Sequence, residues 1–77
     1  MSDFWDSELL VGKLEKNSRE EIQVKIVEKK GKKYLDIRVF WFDSNSDEFR
    51  PSQKGVTVAY DSINDFKAII SSIRNEE

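Results

Sequence analysis

An α+β domain of four strands followed by one helix is the fold class this sequence predicts. Three observations carry that prediction. Apolar residues alternate with polar ones along two segments of the first sixty residues, polar or glycine-containing stretches separate the candidate strands, and a 3-4-3 apolar spacing takes over after residue 60.

Residues 1–7 hold acidic and turn-type residues around Phe4 and Trp5 and are read as a mobile N-terminal arm, with the two rings as its means of docking. The domain proper is expected over residues 8–75. Glu8 to Leu14 (ELLVGKL) is short, apolar and flanked by polar residues, which favours a strand over a one-turn helix. Glu15 to Arg19 is the expected turn. Ser18-Arg19-Glu20-Glu21 has the outline of a helix capping box, but EIQVKIVE follows with Ile22, Val24 and Ile26 at period two. β-branched residues at that spacing make a strand, and the capping reading loses.

Lys29-Lys30-Gly31-Lys32 forms a hairpin turn, where glycine supplies positive φ without a Cβ clash. In the next strand, Lys33 to Phe42, Leu35, Ile37, Val39 and Trp41 share one face, while Tyr34, Asp36, Arg38, Phe40 and Phe42 share the other. Both faces therefore carry apolar surface. Asp43 to Ser52 is expected as a polar loop containing the single proline, and Lys54 to Ala59 as the last strand. Ile63, Phe66, Ile70 and Ile73, with Ile69 beside them, mark one face of an amphipathic helix of about 13 residues. Ser62 is its expected N-cap, Asp65 suits its first turn, and its end is expected near Asn75. One such helix covers one face of a four-stranded sheet. The other must meet solvent, a second subunit or a ligand.

Composition narrows the function classes. Seventy-seven residues make one small domain, whose chain buries only about 60–65% of its unfolded surface. The usual aids for so small a core are disulfides, a structural metal or oligomerisation. With no cysteine and no histidine, self-association is the aid that remains well supplied, and neither metal nor cofactor is expected. Catalysis lacks its commonest general base and its best nucleophile, and no carboxylate pair is convincingly placed, so the expectation is a non-enzyme with no catalytic residues and no small-molecule substrate. Asp43-Ser44-Asn45-Ser46-Asp47 has the spacing that opens a calcium-binding EF-hand loop. Glu48 stands where that loop needs glycine and Lys54 where it needs a bidentate glutamate, so a solvated hairpin loop is expected instead. No stretch approaches the roughly 18 apolar residues of a membrane span, and acids occupy the place of a signal peptide's basic region. An intracellular protein is expected.

Net charge is −2, but it is unevenly spread: residues 1–12 contribute −3, residues 61–77 contribute −2, and eleven bases against eight acids give the middle +3. A basic middle between acidic ends suits local attraction to phosphates. Single-stranded nucleic acid needs aromatic faces for its bases and cations spaced along its backbone. Arg38, Phe40 and Trp41 on a strand, Lys30 and Lys32 at one end, and Arg50 and Lys54 across the next hairpin supply both. A duplex is less suited, because the C-terminal helix carries only Lys67 and Arg74 for a groove. Each feature also has a structural reading: lysines at a turn keep a hairpin soluble and guard its edges, and a tryptophan is commonly core.

The segment GKKYLDIRVFW, followed by RPSQKG and then the helix, resembles the transcriptional positive cofactor four family, whose strand core reads G-K-x-x-x-D-I-R-x-[YF]-W with a later [KR]-P-x-x-K-G. The match covers roughly Val11 to Arg74. The resemblance implies a curved antiparallel sheet, homodimerisation through the helix, and binding of single-stranded or unwound DNA with little sequence preference in transcription or genome maintenance, with transcription machinery as a further partner. It implies DNA contacts by Lys30, Lys32, Arg38, Trp41, Arg50 and Lys54, to which the residue reading adds Phe40 as a second stacking ring. Two departures are visible. The loop before Arg50 is about one residue longer and lacks a glycine, which leaves the reach of Arg50 open, and Lys29 stands where animal members have an aromatic. These 77 residues hold no counterpart of the serine-rich regulatory arm of animal members, and in that they look like a bacterial or phage version. The competing expectation is a protein-interaction module that uses the open apolar sheet face.

Overall fold

A computed structural model describes residues 4–74. Four strands, β1 (Ser7–Asn17), β2 (Glu20–Lys29), β3 (Lys32–Asp43) and β4 (Glu48–Ala59), form one antiparallel sheet in the order β1-β2-β3-β4. A 3-10 turn (Tyr60–Ser62) leads into helix α1 (Ile63–Ser71).

The alternation in β2 and β3 becomes register directly. Ile22, Val24 and Ile26 stand opposite Val39, Ile37 and Leu35, and Gln23 and Lys25 stand opposite Arg38 and Asp36. One face is therefore apolar, continued by Leu9 and Leu14 on β1 and by Val56 and Val58 on β4. The other face is mixed, with Lys25, Val27, Tyr34, Asp36, Arg38 and Phe40, and an open cleft of about 920 Å³ marks it as the concave side. Two-residue turns at Ser18-Arg19 and Lys30-Gly31 close the first two hairpins. Lys30 (φ 52°) and Gly31 (φ 80°) both lie in the left-handed region, the geometry that matches strand twist in a tight hairpin.

Several expected boundaries are corrected. β1 runs through Glu15–Asn17, so the first turn is only Ser18-Arg19. The supposed loop from Asp43 to Ser52 is a four-residue turn, Ser44–Asp47, and β4 begins at Glu48. Polar residues and Pro51 hid this half of the strand. Proline is tolerated because β4 is an edge strand and Pro51 lies at the register shift between Arg38 and Phe40. Three residues, Ser52 to Lys54, lie opposite Val39 alone. The Ser52 hydroxyl donates to the Val39 carbonyl (2.7 Å) and accepts from the Lys54 amide (3.0 Å), which holds this bulge.

Helix α1 is nine residues long, and Ser72 turns out of it, its amide and hydroxyl both donating to carbonyls of the last turn. The expected end at Asn75 lies outside the described residues. Ser62 occupies the N-cap position but makes no side-chain capping bond, because the 3-10 turn already leads into the helix. The helix does not cover a face of the sheet. It packs chiefly on its own 3-10 turn and leaves Ile69, Ile70 and Ile73 exposed. The described fold is consequently one layer, 40 × 39 × 17 Å, in which Val27, Leu35 and Phe40 are the buried apolar side chains.

Candidate nucleic-acid interface

The residues singled out from the sequence fall into three groups. Lys30 and Lys32 flank Gly31 at the β2–β3 turn and are exposed. Among the described residues neither they nor Lys29 and Lys33 form an ion pair. The Lys29 ammonium instead donates to the Phe4 carbonyl (2.5 Å), and that of Lys33 lies 5.7 Å from the Tyr60 ring centre. These cations can meet an anion without first breaking a salt bridge.

Arg38 and Phe40 form the second group, on the concave face. Asp36 and Arg38 are two apart on β3, so their side chains share a face. The Arg38 fork grips both oxygens of Asp36 (2.9 and 3.2 Å) and donates its third bond to the Ser52 carbonyl (3.1 Å). Asp36, 3% exposed, accepts a further bond from the Thr57 hydroxyl (3.2 Å). Arg38 is therefore tied to a carboxylate and braces the β4 bulge. Phe40 is buried, with the Lys25 ammonium 4.8 Å from its ring centre. That ring offers little open face for a base.

The third group lies at the far end of β3. Trp41, 41% exposed, is on the apolar face between Glu20 of β2 and Arg50 of β4. Nine residues separate it from Lys32, roughly 30 Å along a strand. Lys54 is the exposed last residue of the bulge; hydrogen bonds from Asn17 and Lys16 lower the pKa of Glu20 most, and the Lys54 charge adds a smaller effect. Arg50 donates to the Asp43 carboxylate (2.7 Å), the main reason that carboxyl lies below its usual range; the Asn45 amide adds to the effect. The reach of Arg50 toward any phosphate is thus limited by Asp43. The same carboxylate organises the loop that carries the EF-hand-like spacing, accepting also from the Ser46 hydroxyl (3.3 Å).

Phe40 and Trp41 thus lie on opposite faces and form no common platform. Two residues that sequence reasoning passed over join the concave cleft, Lys25 and Phe49, whose ring meets Phe42 edge-on at 5.3 Å; the rings of Phe4 and Trp5, read from the sequence as the arm's means of docking, line it too. Phe49 could have been found once Pro51 was accepted on an edge strand, because alternation then places it beside Phe42.

A family model described as Transcriptional Coactivator p15 (PC4) matches residues 16–69. Among solved structures, a PC4 homologue from Burkholderia pseudomallei K96243 is similar in its orthorhombic crystal form, with 18% identity and a TM-score of 0.75 over 92% of this chain and 96% of that one. Its tetragonal form gives 17% identity and 0.73, over 88% and 100% of the two chains. The bacteriophage T5 homologue of the eukaryotic transcription coactivator PC4, implicated in recombination-dependent DNA replication, is similar at 20% identity and a TM-score of 0.56, over 84% of this chain and 69% of that one. No curated protein matches the chain.

Proposed function

The chain belongs to the transcriptional coactivator p15 (PC4) family, and on that premise we propose that it is a non-enzymatic protein that binds single-stranded or unwound DNA with little sequence preference, as a homodimer, inside the cell. Its task is transcriptional regulation or the handling of unwound DNA. The observation that carries this reading is the pairing of cations free of carboxylate partners among the described residues, at the β2–β3 turn, with a solvent-open tryptophan at the other end of the same strand. Lys30 and Lys32 hold phosphates at the turn, Lys54 holds one at the bulge, and Trp41 stacks on a base. Arg50 joins them by exchanging Asp43 for a phosphate. Arg38 and Phe40 act mainly by shaping the concave face.

The preference for a single strand follows from what α1 offers. Its nine residues carry Lys67 as their one basic residue and Asp65 in the first turn, too little cation to seat it in a major groove. The test is a titration with a mixed-sequence 20-nucleotide strand and with its duplex. Tighter binding to the strand is expected. Equal or tighter binding to the duplex overturns the single-strand assignment.

One observation favours a second reading. Leu9, Leu14 and Val56 on the sheet, and Ile69, Ile70 and Ile73 at the C-terminal end, are exposed apolar groups, as a polypeptide-binding module would have. We assign the helix end, with Ile69, Ile70 and Ile73, to the second copy of the chain, which leaves the end of the sheet at Trp41 open to a base. A protein module would bind neither DNA form.

A further inference from the structure

We propose that Phe4 and Trp5 form a second base-stacking platform, binding single-stranded DNA together with Lys29, Lys30 and Lys32 at the end of the sheet remote from Trp41. This rests on the single-strand reading and extends it to a segment outside the matched family region, which begins at residue 16.

The two rings are held where a strand can reach them. Phe4 meets Trp5 edge-on, with centres 4.7 Å apart and planes at 85°, and Trp5 leans on Tyr34 at 5.9 Å. Backbone bonds pin the segment to the turn: the Asp6 amide donates to the Glu28 carbonyl (2.8 Å), and the Lys30 amide donates to the Asp6 carboxylate (2.8 Å). Preorganised rings lose little entropy when a base settles on them.

Phe4 nevertheless remains 63% exposed, a large apolar ring in water at the end of the sheet where the lysine turn lies. The Lys29 ammonium sits 4.6 Å from its centre. An ammonium on one side of a ring and a phosphate-linked base on the other is the arrangement a single strand satisfies, through cation–π contact, stacking and charge together. An apolar polypeptide would cover the ring but strand the lysines. The nearest described acid of this segment, Asp6, is bound to a backbone amide and leaves the ammonium groups of Lys30 and Lys32 unneutralised. Phe4 and Trp5 also line the concave cleft that continues past Arg38 and Phe49 to Arg50, which stands opposite Trp41 on the edge strand β4, so a strand seated on the rings reaches Trp41 by rounding that edge.

The experiment uses two single-tryptophan variants of the full chain, Trp41→Phe, in which Trp5 reports, and Trp5→Phe, in which Trp41 reports. Each is titrated with a strand of about 16 nucleotides, the upper end of single-domain site sizes. Quenching of both reporters is expected, together with roughly tenfold weaker binding of Phe4→Ala, within the range that loss of one stacked base gives. Phe4 is exposed, so unchanged far-ultraviolet circular dichroism should accompany that loss. A silent Trp5 with a quenched Trp41 overturns the platform and leaves the single-strand reading standing. Two silent reporters overturn both. Tighter binding by Phe4→Ala also overturns the platform, because the ring would then be obstructing the strand.

Discussion

Arg38 and Arg50 are both held by carboxylates, and that fixes what their substitution can report. Asp36 is nearly sealed from solvent and satisfied by the Arg38 fork and by Thr57. Asp36→Ala strands a partly buried guanidinium, and the expected loss is about 3 kcal/mol in denaturant unfolding, the scale for breaking a buried pair from one side. Arg38→Ala should cost a similar amount, so weakened DNA binding by that variant reports on the sheet as much as on a contact. The Asp43–Arg50 pair is only partly buried and acts through pH instead. A carboxyl whose folded pKa is depressed stabilises the fold above its unfolded value, near 4, and the contribution disappears as pH falls through the lowered folded value. An NMR titration should find Asp43 ionised below the ordinary carboxylate range, with Arg50→Ala moving it back up. These pairings were hard to read from sequence: D-I-R places Asp36 and Arg38 on one face, but charge alone does not show that the arginine is already claimed.

β4 shows most clearly where sequence reading ran out among the elements. β2 was legible because Ile22, Val24 and Ile26 alternate with polar residues, and β3 because Leu35, Ile37 and Val39 keep period two on one face although aromatics occupy the other, whereas Glu48 to Gln53 is largely polar, contains a proline and runs into a bulge that breaks the period. K-G in the matched motif has a structural cause. A Cβ at Gly55 would lie 2.7 Å from the Ile37 carbonyl oxygen and 3.0 Å from Arg38, both within the strand it pairs with. Backbone cannot yield as a side-chain tip can, so Gly55→Ala should destabilise the chain by about 1–3 kcal/mol, seen as a lower Tm and faster amide exchange in β4 near the bulge. The length of α1 was misread because the 3-4-3 spacing continues to Ile73, beyond the point where Ser72 ends the helix.

At the scale of the molecule, a chain only 17 Å across its shortest dimension, with three buried apolar side chains among its described residues, has little core of its own. The sequence announced an uncovered face but assigned the helix to one side of the sheet, because amphipathic spacing does not say which chain the apolar stripe meets. If that stripe meets a second copy, folding is linked to association. Tm should then rise with protein concentration, and Ile70→Asp should give a monomer by sedimentation whose Tm is lower and independent of concentration. A native chain that sediments as a monomer would remove the dimer from the account. A phosphate-tracking surface centred on the lysine turn should show itself in the salt dependence of single-strand affinity, measured in the native protein and in a Lys30→Gln/Lys32→Gln variant. With about four phosphates neutralised, log K should fall against log salt with a slope of about −3, and the variant should be shallower by about 1.4. A slope near zero, or one that the two substitutions leave unchanged, would contradict it.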